Sequence, residues 1–208
     1  MQALPPWIDG VEMDVRITSD GVPVLMHDPT VDRTTDGSGA VAETTFVRVR
    51  ELDAGDGGRV PSLAEFLDAC VGEWFRVMLL DMKDASPECL AATAAVVASH
   101  ELAGDCIAMV RGGAEMETFR SINGDLRLGS FGVTVDNVDA HVSAARAHGA
   151  ELLLTQHQNY LTNRSVVSVT QAAGLRAGSS TNNDALREAR EDGCDVILTD
   201  VAGGLARY

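Results

Sequence analysis

The stretch Gly10-Val-Glu-Met-Asp-Val-Arg-Ile-Thr-Ser-Asp-Gly-Val-Pro-Val-Leu-Met-His-Asp28 puts two acidic residues in one short apolar run and a His-Asp pair at the end of the next. Glu12 and Asp14 share side-chain parity, so on a strand both point to one face. Asp20-Gly21 between the runs is a tight-turn pair, which predicts a hairpin and makes residues 22–27 an excursion from the regular sheet. Carboxylates are hard oxygen ligands for Mg²⁺ or Ca²⁺, and histidine moves protons near neutral pH.

Beyond the hairpin, short apolar runs alternate with longer Ala-rich amphipathic stretches. Strands are predicted over residues 10–15, 22–27, 76–82, 106–111, 126–132, 151–156, 176–180 and 195–199. They are rich in Val, Ile, Leu and Met without strict alternation, as strands covered on both faces are. Helices are predicted over residues 62–72, 86–101, 114–122, 137–148, 163–173 and 184–192. Ser62 with Glu65 reads as a capping box, Ser86 precedes Pro87 at a first-turn position, and Gly149 and Gly174 suit left-handed C-terminal caps. Strand–helix alternation at this spacing calls for a parallel sheet with crossover helices, in a barrel or a doubly wound sheet. Residues 29–60 interrupt it as a long polar, Gly-rich loop, expected to be functional or disordered. One domain over residues 1–208 is expected, with that loop as its excursion.

The 208 residues are 45% hydrophobic and 23% charged, a globular composition with no apolar run long enough to cross a bilayer. A net charge of −15 argues against a nucleic-acid or anionic-membrane surface, which would select clustered Lys and Arg. Cys70, Cys89, Cys106 and Cys194 lack zinc or redox spacing and read as reduced, mostly buried thiols. With no signal-peptide pattern in the opening residues, a reducing, cytoplasmic setting is expected.

A lone Glu-x-Asp at a strand end also describes a solvated turn. A third acidic strand end, Leu79-Leu-Asp81-Met-Lys83, separates the two readings. In a parallel barrel the C-terminal strand ends share one rim, so Glu12, Asp14 and Asp81 would converge as oxygen ligands. Lys83, of the same parity as Asp81, would neutralise phosphate charge there. His27, which could equally be a core histidine, sits beside Asp28 and ahead of Arg33, Thr34 and Thr35, a setting for a general acid or base. Arg111 and His157 follow strands and are weaker candidates for contact with an anionic substrate. His100, His141 and His148 lie on or at the ends of predicted helices and read as solvated surface groups. The glycines lack nucleotide-cradle spacing.

Gly10-Val-Glu-Met-Asp-Val, Thr18-Ser-Asp-Gly-Val-Pro-Val, His27-Asp-Pro-Thr-Val-Asp-Arg-Thr-Thr-Asp-Gly and Val60-Pro-Ser-Leu together resemble the glycerophosphodiester phosphodiesterases. Leu80-Asp-Met-Lys83 is similar to their third-ligand motif, and Gly193-Cys-Asp-Val-Ile-Leu-Thr-Asp200 to their last strand. The resemblance implies a TIM-type (β/α) barrel that uses a divalent cation, Mg²⁺ or Ca²⁺, to hydrolyse glycerophosphodiesters to glycerol 3-phosphate and an alcohol. It places the chain in lipid and glycerol metabolism. It also implies Glu12, Asp14 and Asp81 as metal ligands, His27 as one of two catalytic histidines and Lys83 as the basic residue beside the metal.

The family's His-Arg-Gly strand and Glu-Asn-Thr helix do not occur in these residues, Asp81 stands where a glutamate is usual, and Ser179-Ser-Thr-Asn182 replaces a tryptophan-bearing motif. An incomplete, seven-stranded barrel without the first strand and helix is therefore expected. Its exposed edges favour a homo-oligomeric contact across the gap. Weak or absent turnover is expected too. The alternative is a catalytically dead member that binds a metal or phosphoester or serves as an interaction protein.

Overall fold

The computed structural model describes residues 8–70, 76–181 and 185–200. The chain divides into two compact units: residues 10–108 with 121–126, and residues 8–9 and 109–120 with the described residues from 127 onward.

In the first unit, β1 (Gly10–Ile17) turns into β2 (Pro23–Leu25) and pairs with it antiparallel, with Val15 opposite Leu25. The turn is the one the Asp-Gly pair predicts: Gly21 takes φ +81° and donates to the Thr18 carbonyl at 3.0 Å. On its other edge β1 pairs parallel with β3 (Val77–Met82), which sets Glu12 beside Leu79 and Asp14 beside Asp81. The strand order here is β2-β1-β3, followed by β4 (Cys106–Val110). Helix α2 (Leu63–Cys70) opens on the expected capping box: Ser62 N–H donates to Glu65 Oε2 at 2.9 Å, and Glu65 N–H to Ser62 Oγ at 3.1 Å. Helix α3 (Pro87–Ser99) is capped by Ser86, whose Oγ accepts from Cys89 N–H at 3.3 Å.

Residues 29–60 are better ordered than a polar loop. They hold helix α1 (Phe46–Glu51) and a 3₁₀ turn, Val41–Glu43. Val31, Val41, Val49 and Val60 bury themselves against Val24 and Met26 of the hairpin, with Phe46 and Leu52 packed alongside. Asp20 at the hairpin turn accepts from Phe46 N–H at 2.8 Å, so the turn satisfies an otherwise orphaned donor at the start of α1. Of the two expectations for this segment, disorder is corrected: it is a folded excursion with its own apolar cluster.

In the second unit the order runs from the end of β4 through β5 (Arg127–Phe131), β6 (Leu152–Thr155), β7 (Arg176–Ser180) and β8 (Val196–Leu198). The β5–β6, β6–β7 and β7–β8 pairs are parallel. Between the strands lie α4 (Gly113–Ile122), α5 (Val138–His148), α6 (Ser165–Ala172) and α7 (Leu186–Glu191). Gly149 closes α5 in the left-handed conformation, as expected.

Every predicted strand and helix has its counterpart. The chain is mixed α/β with the strand–helix succession of a TIM-type barrel, and seven of its strands follow one another in that succession beside the β2 excursion. Residues 71–72 and 184 of the predicted helices lie outside the described residues. Cys70, Cys89 and Cys106 are buried thiols and Cys194 is half-buried.

One histidine is misplaced by the sequence reading. His141 is buried at 7% exposure, and its Nδ1 lies 3.1 Å from Ser130 Oγ, which itself donates to the Val110 carbonyl at 2.9 Å. Burial holds its imidazolium form below the ordinary histidine range. His100 is also more enclosed than expected, with Nδ1 at 2.7 Å from the Val96 carbonyl and Nε2 at 3.2 Å from Asp68.

Candidate active site

Strand β1 sorts its residues by parity. Met13, Val15 and Ile17 are buried, while Glu12, Asp14 and Arg16 occupy the other, half-buried face. Parallel pairing in register then brings Asp81 to Asp14. One carboxylate oxygen from each of Glu12, Asp14 and Asp81 lies within 4.8 Å of the others. Asp81 is nearly buried, and a buried carboxylate needs a charged partner. Lys83 provides it: Nζ lies 2.7 Å from Asp81 Oδ2 and 3.1 Å from Asp14 Oδ1. Burial pulls the Lys83 ammonium down, but its bonds and charge interactions with Asp81 and Asp14 outweigh that and raise it above the ordinary lysine value. Lys83 is tied to β1 as well, through its N–H to the Val15 carbonyl at 3.0 Å.

The donor set fits a hard divalent cation. All three groups are carboxylates and they converge, with the Lys83 ammonium bridging Asp14 and Asp81. Like charges at this separation are unfavourable without a cation.

His27 follows β2 and is joined to β1 through its backbone. Met26 N–H donates to the Asp14 carbonyl at 3.0 Å, and Arg16 Nε and an Arg16 terminal nitrogen donate to the His27 carbonyl at 3.1 and 2.9 Å. The strand that presents Glu12 and Asp14 therefore also anchors His27. Its ring is 61% exposed, with Nδ1 at 2.8 Å from Asp28 Oδ1. Arg33 grips the same carboxylate through Nε at 2.5 Å and a second nitrogen at 3.0 Å. These bonds, Arg33's first and then His27's, hold the Asp28 carboxyl well below the usual range. Arg33 also lines an open groove of about 590 Å³ with Thr34, Thr35, Asp36, Asp53 and Gly55.

Arg111 follows β4, where its guanidinium stacks 5.2 Å from the Phe131 ring centroid and its N–H donates to Glu115 at 2.7 Å. The His157 side chain and Asn182 lie outside the described residues. Sequence reasoning passed over Arg16 as an anchor for His27. Its parity, shared with Glu12 and Asp14, gives its face but not this partner.

Residues 2–203 match the Glycerophosphoryl diester phosphodiesterase family. The chain belongs to that family.

Among its relatives, glycerophosphodiester phosphodiesterase 1 of Rattus norvegicus is 47% identical over 79 residues, covering 34% of this chain. That match spans only 24% of the rat protein's length. Among solved structures, a phosphodiesterase from Oleispira antarctica, in complex with the product sn-glycerol-3-phosphate, superposes with a TM-score of 0.83 at 21% identity, covering 97% of this chain and 85% of that one. A glycerophosphodiester phosphodiesterase from Agrobacterium tumefaciens gives 0.77 at 25% identity over 95% of this chain and 86% of its own. The glycerophosphodiester phosphodiesterase likeness thus extends over nearly the whole chain in fold, while close sequence identity is local.

Proposed function

We propose that this chain carries the active constellation of a divalent-cation-dependent phosphodiesterase that hydrolyses glycerophosphodiesters to glycerol 3-phosphate and an alcohol. The observation that carries the proposal is the convergence of Glu12, Asp14 and Asp81, with Lys83 between two of them, in a member of this family. Those carboxylates would hold Mg²⁺ or Ca²⁺, which when bound polarises phosphoryl oxygens and offsets developing negative charge. Lys83 adds a fixed positive charge for the same oxygens. The His27 imidazole moves the proton: water adds to phosphorus, the ester P–O bond breaks, and the departing alkoxide takes a proton that water replaces. Arg33, Thr34 and Thr35 line an open groove, and Arg111 and His157 are further candidates for substrate contact. We treat the two compact units as one family domain, since the family match runs through both.

A second reading is favoured by one sequence fact. Only His27 of the family's two catalytic histidines has a counterpart in these residues, because His-Arg-Gly does not occur in them. In that reading the chain binds metal or phosphoester without turnover. No helix among the described residues is long and apolar enough to cross a membrane, and the substrate is taken to be a small molecule in a cytoplasmic setting. The expected homo-oligomer belongs to the same proposal, and a clean monomer by light scattering removes it.

The test is hydrolysis of glycerophosphocholine with Mg²⁺ or Ca²⁺, comparing this chain with a form extended upstream by a strand bearing His-Arg-Gly. Metal-dependent release of glycerol 3-phosphate, stronger in the extended form and lost on Asp14→Asn, is expected. Equal inactivity of both forms overturns the enzyme reading.

A further inference from the structure

The His27 ring is oriented chiefly by polar contacts. Its side chain is 61% exposed, so polar contacts decide which way the ring faces and where its proton sits. A neutral imidazole has one N–H, and an ionised carboxylate can only accept. The 2.8 Å contact between His27 Nδ1 and Asp28 Oδ1 therefore needs the proton on Nδ1. Asp28 is itself fixed, because Arg33 binds both its oxygens in a bidentate fork at 2.5 and 3.0 Å. The backbone end is fixed independently by Arg16 on the His27 carbonyl. Ring nitrogen, carboxylate and carbonyl are thus each held, and Nε2 is the nitrogen that Asp28 leaves open.

We infer that Asp28 and Arg33 are positioning residues that hold His27 as its Nδ1–H tautomer, with Nε2 as the nitrogen that meets the substrate. Asp28 sets the tautomer and ring angle, and Arg33 keeps its carboxylate in place. An Nε2 lone pair accepts a proton from a reacting hydroxyl, and once protonated the same atom returns it to a leaving oxygen. A mixed tautomer population would leave Nε2 already protonated, and unable to accept, in part of the molecules. The inference deepens the proposed function, and it depends on that reading only for the ring's catalytic use.

The experiment is histidine ring NMR on the ¹⁵N-labelled chain at a pH above the imidazole titration, with His27 signals identified by their loss in His27→Gln. Nε2 is expected to carry the unprotonated nitrogen signature in the unaltered chain. Asp28→Ala should shift the tautomer ratio toward Nε2–H on the order of fivefold, the scale of one partly exposed charge-assisted hydrogen bond. Arg33→Met should shift it less, with broadened ring signals. An unaltered chain already protonated on Nε2 overturns the inference without recourse to any variant. A folded Asp28→Ala chain with an unchanged ring spectrum also overturns it. The measurement needs neither substrate nor turnover, so failure of the phosphodiesterase reading and failure of this inference are separable.

Discussion

Replacing Lys83 with Met would remove the cation that bridges Asp14 and Asp81. Nζ sits 2.7 Å from Asp81 and 3.1 Å from Asp14, and the lysine side chain is 19% exposed. At an effective dielectric near 20 each contact is worth roughly 5–6 kcal/mol of gross Coulomb energy. Desolvating three charged groups takes most of that back. Breaking a buried pair typically costs about 3–5 kcal/mol, and since Asp14 is about a quarter exposed the expected net loss is nearer 2–3 kcal/mol. The loss should be conditional on the absence of metal. With chelator, urea unfolding of Lys83→Met should show the full deficit relative to the unaltered chain. With Mg²⁺ or Ca²⁺ at about 100 times its dissociation constant, binding contributes about 2.7 kcal/mol to any chain that holds the ion. The variant, which has more unbalanced negative charge, should bind more tightly, and each tenfold gain in affinity over the unaltered chain recovers about 1.4 kcal/mol of its deficit. Equal stability with chelator would refute the reasoning, as would a deficit that metal leaves untouched.

Two further outcomes test the fold around the site. Val49→Ala removes two methyl groups from a fully buried position in the 29–60 cluster and should cost about 2 kcal/mol by chemical denaturation; a loss within about 0.5 kcal/mol, the range of surface substitutions, would return that segment to a loosely packed loop. His141 has its folded value lowered by burial, so the unfolded chain protonates first and stability should fall as pH drops from the ordinary histidine value toward the folded one. His141→Gln should flatten that slope in unfolding curves collected across this pH range, and an unchanged slope would assign it to other groups.

The acidic cluster was legible in the sequence because two simple rules fix it. Parity puts Glu12 and Asp14 on one face of a strand, and a parallel sheet aligns the acidic end of the next strand with them. The succession of strands was legible for a similar reason: apolar runs of Val, Ile, Leu and Met are short, frequent and bounded by Gly or capping residues. Helix α1 escaped because six residues give too little of a helical period, and its partners Val31, Val41 and Val60 are scattered through polar sequence. His141 escaped although a signal existed, since it falls on the same helical stripe as Val138, Val142 and Ala145. The Arg16 contact with the His27 carbonyl is a side-chain-to-backbone bond across a hairpin. Residue spacing does not encode such a bond; only folded geometry reveals it.

The most direct test of the central claim is calorimetric titration of Mg²⁺ and of Ca²⁺ into the unaltered chain, Glu12→Gln and Asp81→Asn. The account predicts one ion bound per chain, with affinity reduced at least about tenfold in each variant, the scale of losing one charged ligand. No binding heat in the unaltered chain, or undiminished binding in both variants, would contradict it.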